Sequence, residues 1–142
     1  MKMTDEGIKL IENFESLQLK AYKCPAGIWT IGYGHTSGVT QGMTCTQAQA
    51  EQFLMQDLGT AENAVCKYVK LQINDNQFSA LVSFTFNCGA GNLQSSTLLK
   101  KVNINPADAT IRNEFMKWNK GGGKVLAGLT RRRQAEADLY FS

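Results

Sequence analysis

Histidine and proline are scarce in this 142-residue chain, which holds one histidine, His35, and two prolines, Pro25 and Pro106. With one imidazole and no Cys-x-x-Cys pair, a tetrahedral zinc site would need all four cysteines, Cys24, Cys45, Cys66 and Cys88, from scattered elements, so no metal is expected. No apolar run is long enough to cross a bilayer. No glycine-rich phosphate loop or dinucleotide fingerprint is present, and no cofactor is expected. The first residues, Met1-Lys-Met-Thr-Asp-Glu-Gly7, lack the basic-then-apolar pattern of a secretion signal. The chain is therefore expected to be made and folded in a cytoplasm, with its thiols reduced. If one bridge forms, Cys66 with Cys88 is the expected pair, because both fall in helices of the same lobe.

What is present suits one globular domain: 43% hydrophobic and 19% charged residues, in a chain long enough to bury a core. The net charge of +3 is unevenly spread. The first 71 residues carry 6 Lys and Arg against 7 Asp and Glu, and the last 71 carry 9 against 5. That basic half, with Lys117, Lys120, Lys124 and Arg131-Arg-Arg133, would favour approach to a polyanion. A solvated helical face explains so small an excess equally well.

The chain is organised around residues 13–36. Thr4 reads as an N-cap, and Ile8, Ile11 and Phe14 follow at helical spacing, which leaves Glu15 at or just past the last turn. From Leu17 to Gln41, β-branched and aromatic residues alternate with glycines, and Pro25-Ala-Gly27 reads as a turn. The pattern predicts a two- or three-stranded antiparallel sheet. Helices are then expected from Thr46, as a capping box with Gln49, to Leu58, and from Ala61 to about Lys70, with Gly59 ending or bending the first. A buried central helix is expected over 75–88, capped by Asp75 or Asn76 and stopped by Gly89-Ala-Gly91. Further helices are expected from Ser95 or Ser96 to Val102, from Asn105-Pro106 to near Trp118, and from Thr130 to Tyr140, with a loop at Gly121-Gly-Gly123.

Glu15-x8-Cys24-x5-Thr30, running into Ile31-Gly-Tyr-Gly-His35, resembles the catalytic region of the phage lysozymes (endolysins) of glycoside hydrolase family 24. The resemblance continues through Gln77-Phe-Ser-Ala-Leu-Val-Ser-Phe-Thr-Phe-Asn-Cys-Gly89, Ser96-Thr-Leu-Leu99 and Gly128-Leu-Thr-Arg-Arg-Arg-Gln-Ala-Glu136, and so covers nearly the whole chain. It implies an α+β, lysozyme-like fold in one catalytic domain. A sheet lobe at about 15–45 and a helical lobe at about 60–142, with the N-terminal helix packed on it, would enclose a cleft. It also implies a cofactor-independent muramidase that cuts the β-1,4 bond between N-acetylmuramic acid and N-acetylglucosamine in bacterial peptidoglycan. Such an enzyme is made in the host cytoplasm without a signal peptide and acts on the wall after release. Peptidoglycan is the expected partner of a monomer that takes no nucleic acid and does not insert stably into membranes.

Cleaving a glycosidic bond needs a proton for the leaving oxygen and a second group that activates water or attacks directly. Glu15 is the candidate acid. Taken alone it would be one more solvated surface carboxylate, and the resemblance reverses that reading. Thr30 would hold a water or a substrate hydroxyl. The family usually carries aspartate where Cys24 stands, although some members have cysteine. Three roles for Cys24 stay open: orienting or activating a water, attacking the anomeric carbon, or standing by. The aspartate-bearing relatives invert configuration, and a cysteine nucleophile would change that outcome. The same resemblance implies that Thr36, Phe86 and Asn87 contact substrate, against an ordinary core role for Phe86. His35 and Trp118 are read as structural. A peptidoglycan-binding module impaired by Cys24 is the alternative, and a membrane- or nucleic-acid-binding protein ranks last.

Overall fold

A computed structural model describes all 142 residues, Met1–Ser142. The elements run α1 (Asp5–Phe14), β1 (Gln18–Lys23), β2 (Trp29–Gly32), α2 (Gln47–Tyr68), α3 (Asp75–Cys88), α4 (Ala90–Ser95), α5 (Thr97–Ile104), α6 (Ile111–Met116), β3 (Lys120–Gly121), β4 (Lys124–Val125) and α7 (Ala127–Tyr140). They divide into two compact units: Ile11–Thr60, and Met1–Leu10 with Ala61–Ser142.

The smaller unit holds the sheet. β1 and β2 pair antiparallel, with Tyr22 opposite Thr30 and Lys23 opposite Trp29, and an irregularity separates that register from Gln18 opposite Gly32. A third segment adds to β1 without forming a strand: Ala21 donates to the Met43 carbonyl at 2.8 Å and Cys45 to the Leu19 carbonyl at 2.9 Å. Ala21, Ile31 and Val39 form the core of this unit, with Trp29, Met43, Cys45 and Phe53 packed against it.

In the larger unit α3 is central, and Phe78 through Thr85 are buried without interruption. Phe84 meets Phe115 and Trp118 edge-on at 6.0 and 5.4 Å. Such aromatic pairs contribute beyond the area they bury. Tyr140 continues the cluster, 5.8 Å from Phe115, and its hydroxyl donates to the Pro106 carbonyl at 2.7 Å.

The boundaries depart from expectation where tertiary packing decides them. α2 does not stop at Gly59, because Leu54, Leu58, Ala61 and Val65 form one buried stripe at helical spacing through it. That stripe outweighs the roughly 1 kcal/mol that glycine costs inside a helix. The cap of α3 is Asn74, whose side chain accepts from the Gln77 amide while the Gln77 side chain accepts from the Asn74 amide. Asn105-Pro106 does not open a helix. Asn105 Oδ1 takes the Ala107 amide and Asp108 Oδ1 takes the Thr110 amide, so side chains close two turns before α6 begins at Ile111. Residues 120–125 form a short hairpin, with Gly122 and Gly123 at positive φ in its turn. All four cysteines are free thiols, so no Cys66–Cys88 bridge is present.

Gly7 is where α1 meets α3. A Cβ added there would lie 2.6 Å from the Ser79 Cβ, and Ser79 Oγ already accepts from the Thr4 amide at 2.9 Å. Gly7→Ala should therefore destabilise the protein by about 1–3 kcal/mol through overpacking, although alanine is the better helix former by about 1 kcal/mol. Chemical denaturation of Gly7→Ala, Ser79→Gly and the double variant checks this: Ser79→Gly removes the acceptor of the Thr4 amide, and the double variant should lose less than the sum of the two single losses.

Candidate active site

The smaller unit contains Glu15, Cys24, Thr30 and Thr36; Phe86 and Asn87 belong to the larger one. Glu15 stands one residue beyond α1, and its amide still donates to the Ile11 carbonyl at 2.9 Å. The helix therefore fixes its backbone, and its side chain is half-buried. Gly34 faces its carboxylate: a Cβ built there would lie 3.8 Å from Glu15 Oε2, and φ at Gly34 is +90°. That backbone conformation favours glycine, so the sequence provides close approach and chain reversal with one residue.

Cys24 opens the turn between β1 and β2. Its amide donates to the Ile28 carbonyl at 2.9 Å, and its carbonyl accepts from Gly27 at 2.8 Å. The closed turn gathers amides around the sulfur. The Ile28 amide is the main influence holding the thiol below its ordinary range; partial burial opposes it, and the Ala26 amide, the Thr30 hydroxyl and the residue's own amide add to the lowering. A thiol in such surroundings is the kind that ionises and reacts. Thr30, expected to reach toward substrate, is only 4% exposed. Its hydroxyl donates to the Ile28 carbonyl at 3.0 Å and is among the groups that hold the Cys24 thiol down. Thr30 and the Cys24 amide thus share the Ile28 carbonyl as their acceptor.

His35 is 6% exposed and bridges back to β2. Its amide and carbonyl exchange two 2.9 Å bonds with Ile31, its Nδ1 lies 2.9 and 3.1 Å from the Asp57 carboxylate oxygens, and its ring stacks on Phe53 at 4.3 Å. Thr36 follows and is exposed.

In the larger unit, Phe86 is half-buried and Asn87 exposed on the last turn of α3. Asn87 lines a depression of about 500 Å³ with Cys88, Asn92, Lys117, Trp118, Lys120 and Leu129. Behind it lies a charged cluster the sequence did not announce. Arg133 is fully buried; its Nε is 2.7 Å from Glu136 Oε1 and its Nη2 donates to Glu136 Oε2 at 3.0 Å. Arg132 Nε reaches the same oxygen at 3.3 Å and Ser83 donates to it at 2.5 Å. Burial pushes the Glu136 carboxyl upward, and the two guanidiniums and the hydroxyl pull it back. The run Arg131-Arg-Arg133 is therefore no basic patch: Arg132 is 3% exposed, and only Arg131 faces solvent. Charges three residues apart on a helix ordinarily mark a solvated face, which is why this pattern hid the cluster. No group of three or more His, Cys, Asp or Glu is placed to hold a metal ion.

The sequence signature of the phage lysozyme family matches residues 12–136. The endolysin of Acyrthosiphon pisum secondary endosymbiont phage 1 is 42% identical over 146 residues, spanning 100% of this chain and 99% of its own. The muramidase domain of SpmX from Asticaccaulis excentricus superposes with a TM-score of 0.92 at 35% identity, covering 99% of this chain and 97% of that one. A P22 lysozyme mutant superposes with a TM-score of 0.90 at 34% identity, covering 100% and 99%. The backbone architecture is thus lysozyme-like, mostly helical with a small antiparallel sheet.

Proposed function

This chain belongs to the phage lysozyme family and hydrolyses the glycan of bacterial peptidoglycan, and we propose that Glu15 is its general acid, with Cys24, supported by Thr30, acting on the attacking water. The bond cut is the β-1,4 linkage between N-acetylmuramic acid and N-acetylglucosamine. Glu15 gives its proton to the leaving glycosidic oxygen. A water attacks the anomeric carbon as that bond breaks, and its proton passes to the Cys24 thiolate. Thr30 steadies the thiolate while its sulfur accepts that proton. Thr36, Phe86 and Asn87 contact the glycan, Phe86 by packing on a sugar face and Asn87 through its amide.

The observation that carries this reading is the amide-lined turn at Cys24. It holds the thiol below its ordinary range, in the direction of the charge that an aspartate brings to this position in the family at large. The enzyme is read as a monomer that binds no nucleic acid and does not insert stably into membranes; no helix is long and apolar enough to cross one. It is made in the cytoplasm and meets the wall after release.

Clearing of purified sacculi by the parent, Cys24→Ser and Cys24→Asp tests the role, together with the anomeric configuration of the first product. Cys24→Ser should lose at least about tenfold in rate. Cys24→Asp should stay active with the rising limb of its pH–rate profile moved to lower pH, because a carboxyl ionises below a thiol. Inverted product fits the water mechanism. Retained product from the parent would instead make Cys24 the nucleophile, and parental rates in Cys24→Ser would make it a bystander.

A further inference from the structure

We propose that Arg133 is a positioning residue for substrate binding: it fixes Asn87 with its carbonyl inward, so that the amide nitrogen offers donors to the depression and reads a carbonyl or carboxylate oxygen of the peptidoglycan. This rests on the peptidoglycan reading above. Arg133 Nη2 donates to Asn87 Oδ1 at 2.9 Å. The Cys88 thiol points at the same oxygen, 3.9 Å away, and Arg133 Nη1 donates to the Cys88 sulfur. A guanidinium has donors only. Turning the Asn87 amide over would set its NH2 against that guanidinium, donor against donor, so chemistry alone decides which end faces in.

The guanidinium cannot swing away to permit the flip. Its Nη2 donates to Glu136 Oε2 at 3.0 Å, its Nε lies 2.7 Å from Oε1 as an ion pair, it lies over the Phe84 ring at 5.3 Å, and it is fully buried. Glu136 in turn is held by the Ser83 hydroxyl at 2.5 Å. The chain Ser83, Glu136, Arg133, Asn87 thus runs from the core to an exposed amide.

The charged groups of the depression agree in sign, and Asn92 adds one acceptor beside them. Lys117 and Lys120 line it and carry only donors, Lys117 lying 2.9 Å from Glu114 Oε1 with its side chain 65% exposed. Asn92 has its Nδ2 committed to the Cys88 carbonyl at 2.6 Å. A site with two ammonium groups and one oriented amide N–H pair selects oxygen acceptors. Peptidoglycan supplies them from two sources, the N-acetyl carbonyls of the glycan and the carboxylates of its stem peptides.

The test compares Asn87→Asp and Asn87→Ala by apparent KM and kcat, on intact sacculi and on glycan strands stripped of stem peptides by an amidase. Asn87→Asp keeps the partner of Arg133 and folds as the parent does, but presents acceptors where donors are required. It should raise KM by about tenfold or more, exceed the effect of Asn87→Ala, and change kcat little. A rise confined to intact sacculi assigns the oxygen to the stem peptide; a rise on both substrates assigns it to the N-acetyl group. Arg133→Lys should raise KM in the parent and add nothing in the Asn87→Ala background, because it acts through Asn87. Asn87→Asp with parental KM, or with a smaller effect than Asn87→Ala, overturns the donor role. An equal effect of Arg133→Lys in both backgrounds overturns the positioning role. A parent that leaves sacculi intact would count against the muramidase reading itself, separately from either result.

Discussion

Glu15→Gln is expected to slow the clearing of sacculi by about 10²–10⁴-fold, the usual contribution of a positioned proton donor. The substitution keeps the shape of the side chain and removes the proton. The leaving oxygen of a glycosidic bond departs poorly as an anion, so without a donor the bond must break against an unprotonated alkoxide. Structure should survive. The backbone link of Glu15 is its amide to the Ile11 carbonyl, which the substitution leaves in place. The side chain is half-buried and faces Gly34, where glutamine occupies the same space. A melting temperature within a few degrees of the parent, together with lost clearing, locates the effect in the chemistry. Parental clearing by Glu15→Gln would remove Glu15 from the mechanism.

Glu136→Ala is expected to cost about 3–5 kcal/mol, the range for breaking a buried ion pair from one side, and to lower the melting temperature by about 10 °C for a chain of this size. The lost attraction is the smaller part. Glu136 is fully buried, and its removal leaves the Arg133 guanidinium in the interior at 0% exposure without its carboxylate, with the Ser83 hydroxyl deprived of its acceptor. The same helix provides the control. Asp138 pairs with Arg112 at 2.6 Å, but the two side chains are 62% and 41% exposed. Water and salt screen that pair, and Asp138→Ala should change stability by no more than about 1 kcal/mol. Thermal denaturation of the two variants side by side separates them. Equal losses would mean that the interior charges are far better hydrated than their burial indicates.

What the sequence revealed and what it hid follow from the range of the interactions. Thr4 accepting from the Gly7 amide, and Thr46 with Gln49 bonding in both directions, are closed within four residues and were legible as patterns. The buried stripe of α3 was legible as a continuous apolar run. The cap of α3 at Asn74 was missed by one residue, because Asn74, Asp75 and Asn76 are all good caps and only the reach of Gln77 selects among them. At the site, spacing and family resemblance singled out Glu15, Cys24 and Thr30, yet nothing in them showed that Thr30 would be buried and bonded to the Ile28 carbonyl that the Cys24 amide also uses. The support behind Asn87 was illegible for a different reason. Arg133 lies 46 residues from Asn87, and Ser83 lies 53 from Glu136. Only packing of α7 on α3 turns an ordinary-looking basic run into an internal anchor.

That anchor also limits how the sequence can drift. Ser83, Arg133 and Glu136 each satisfy a group the others expose, so single replacements pass through a state with a stranded charge or an unanswered hydroxyl. Descendants of this chain should therefore keep the three together or exchange them together for an apolar set. Those that exchange them should also lose the asparagine at position 87, or come to use it differently.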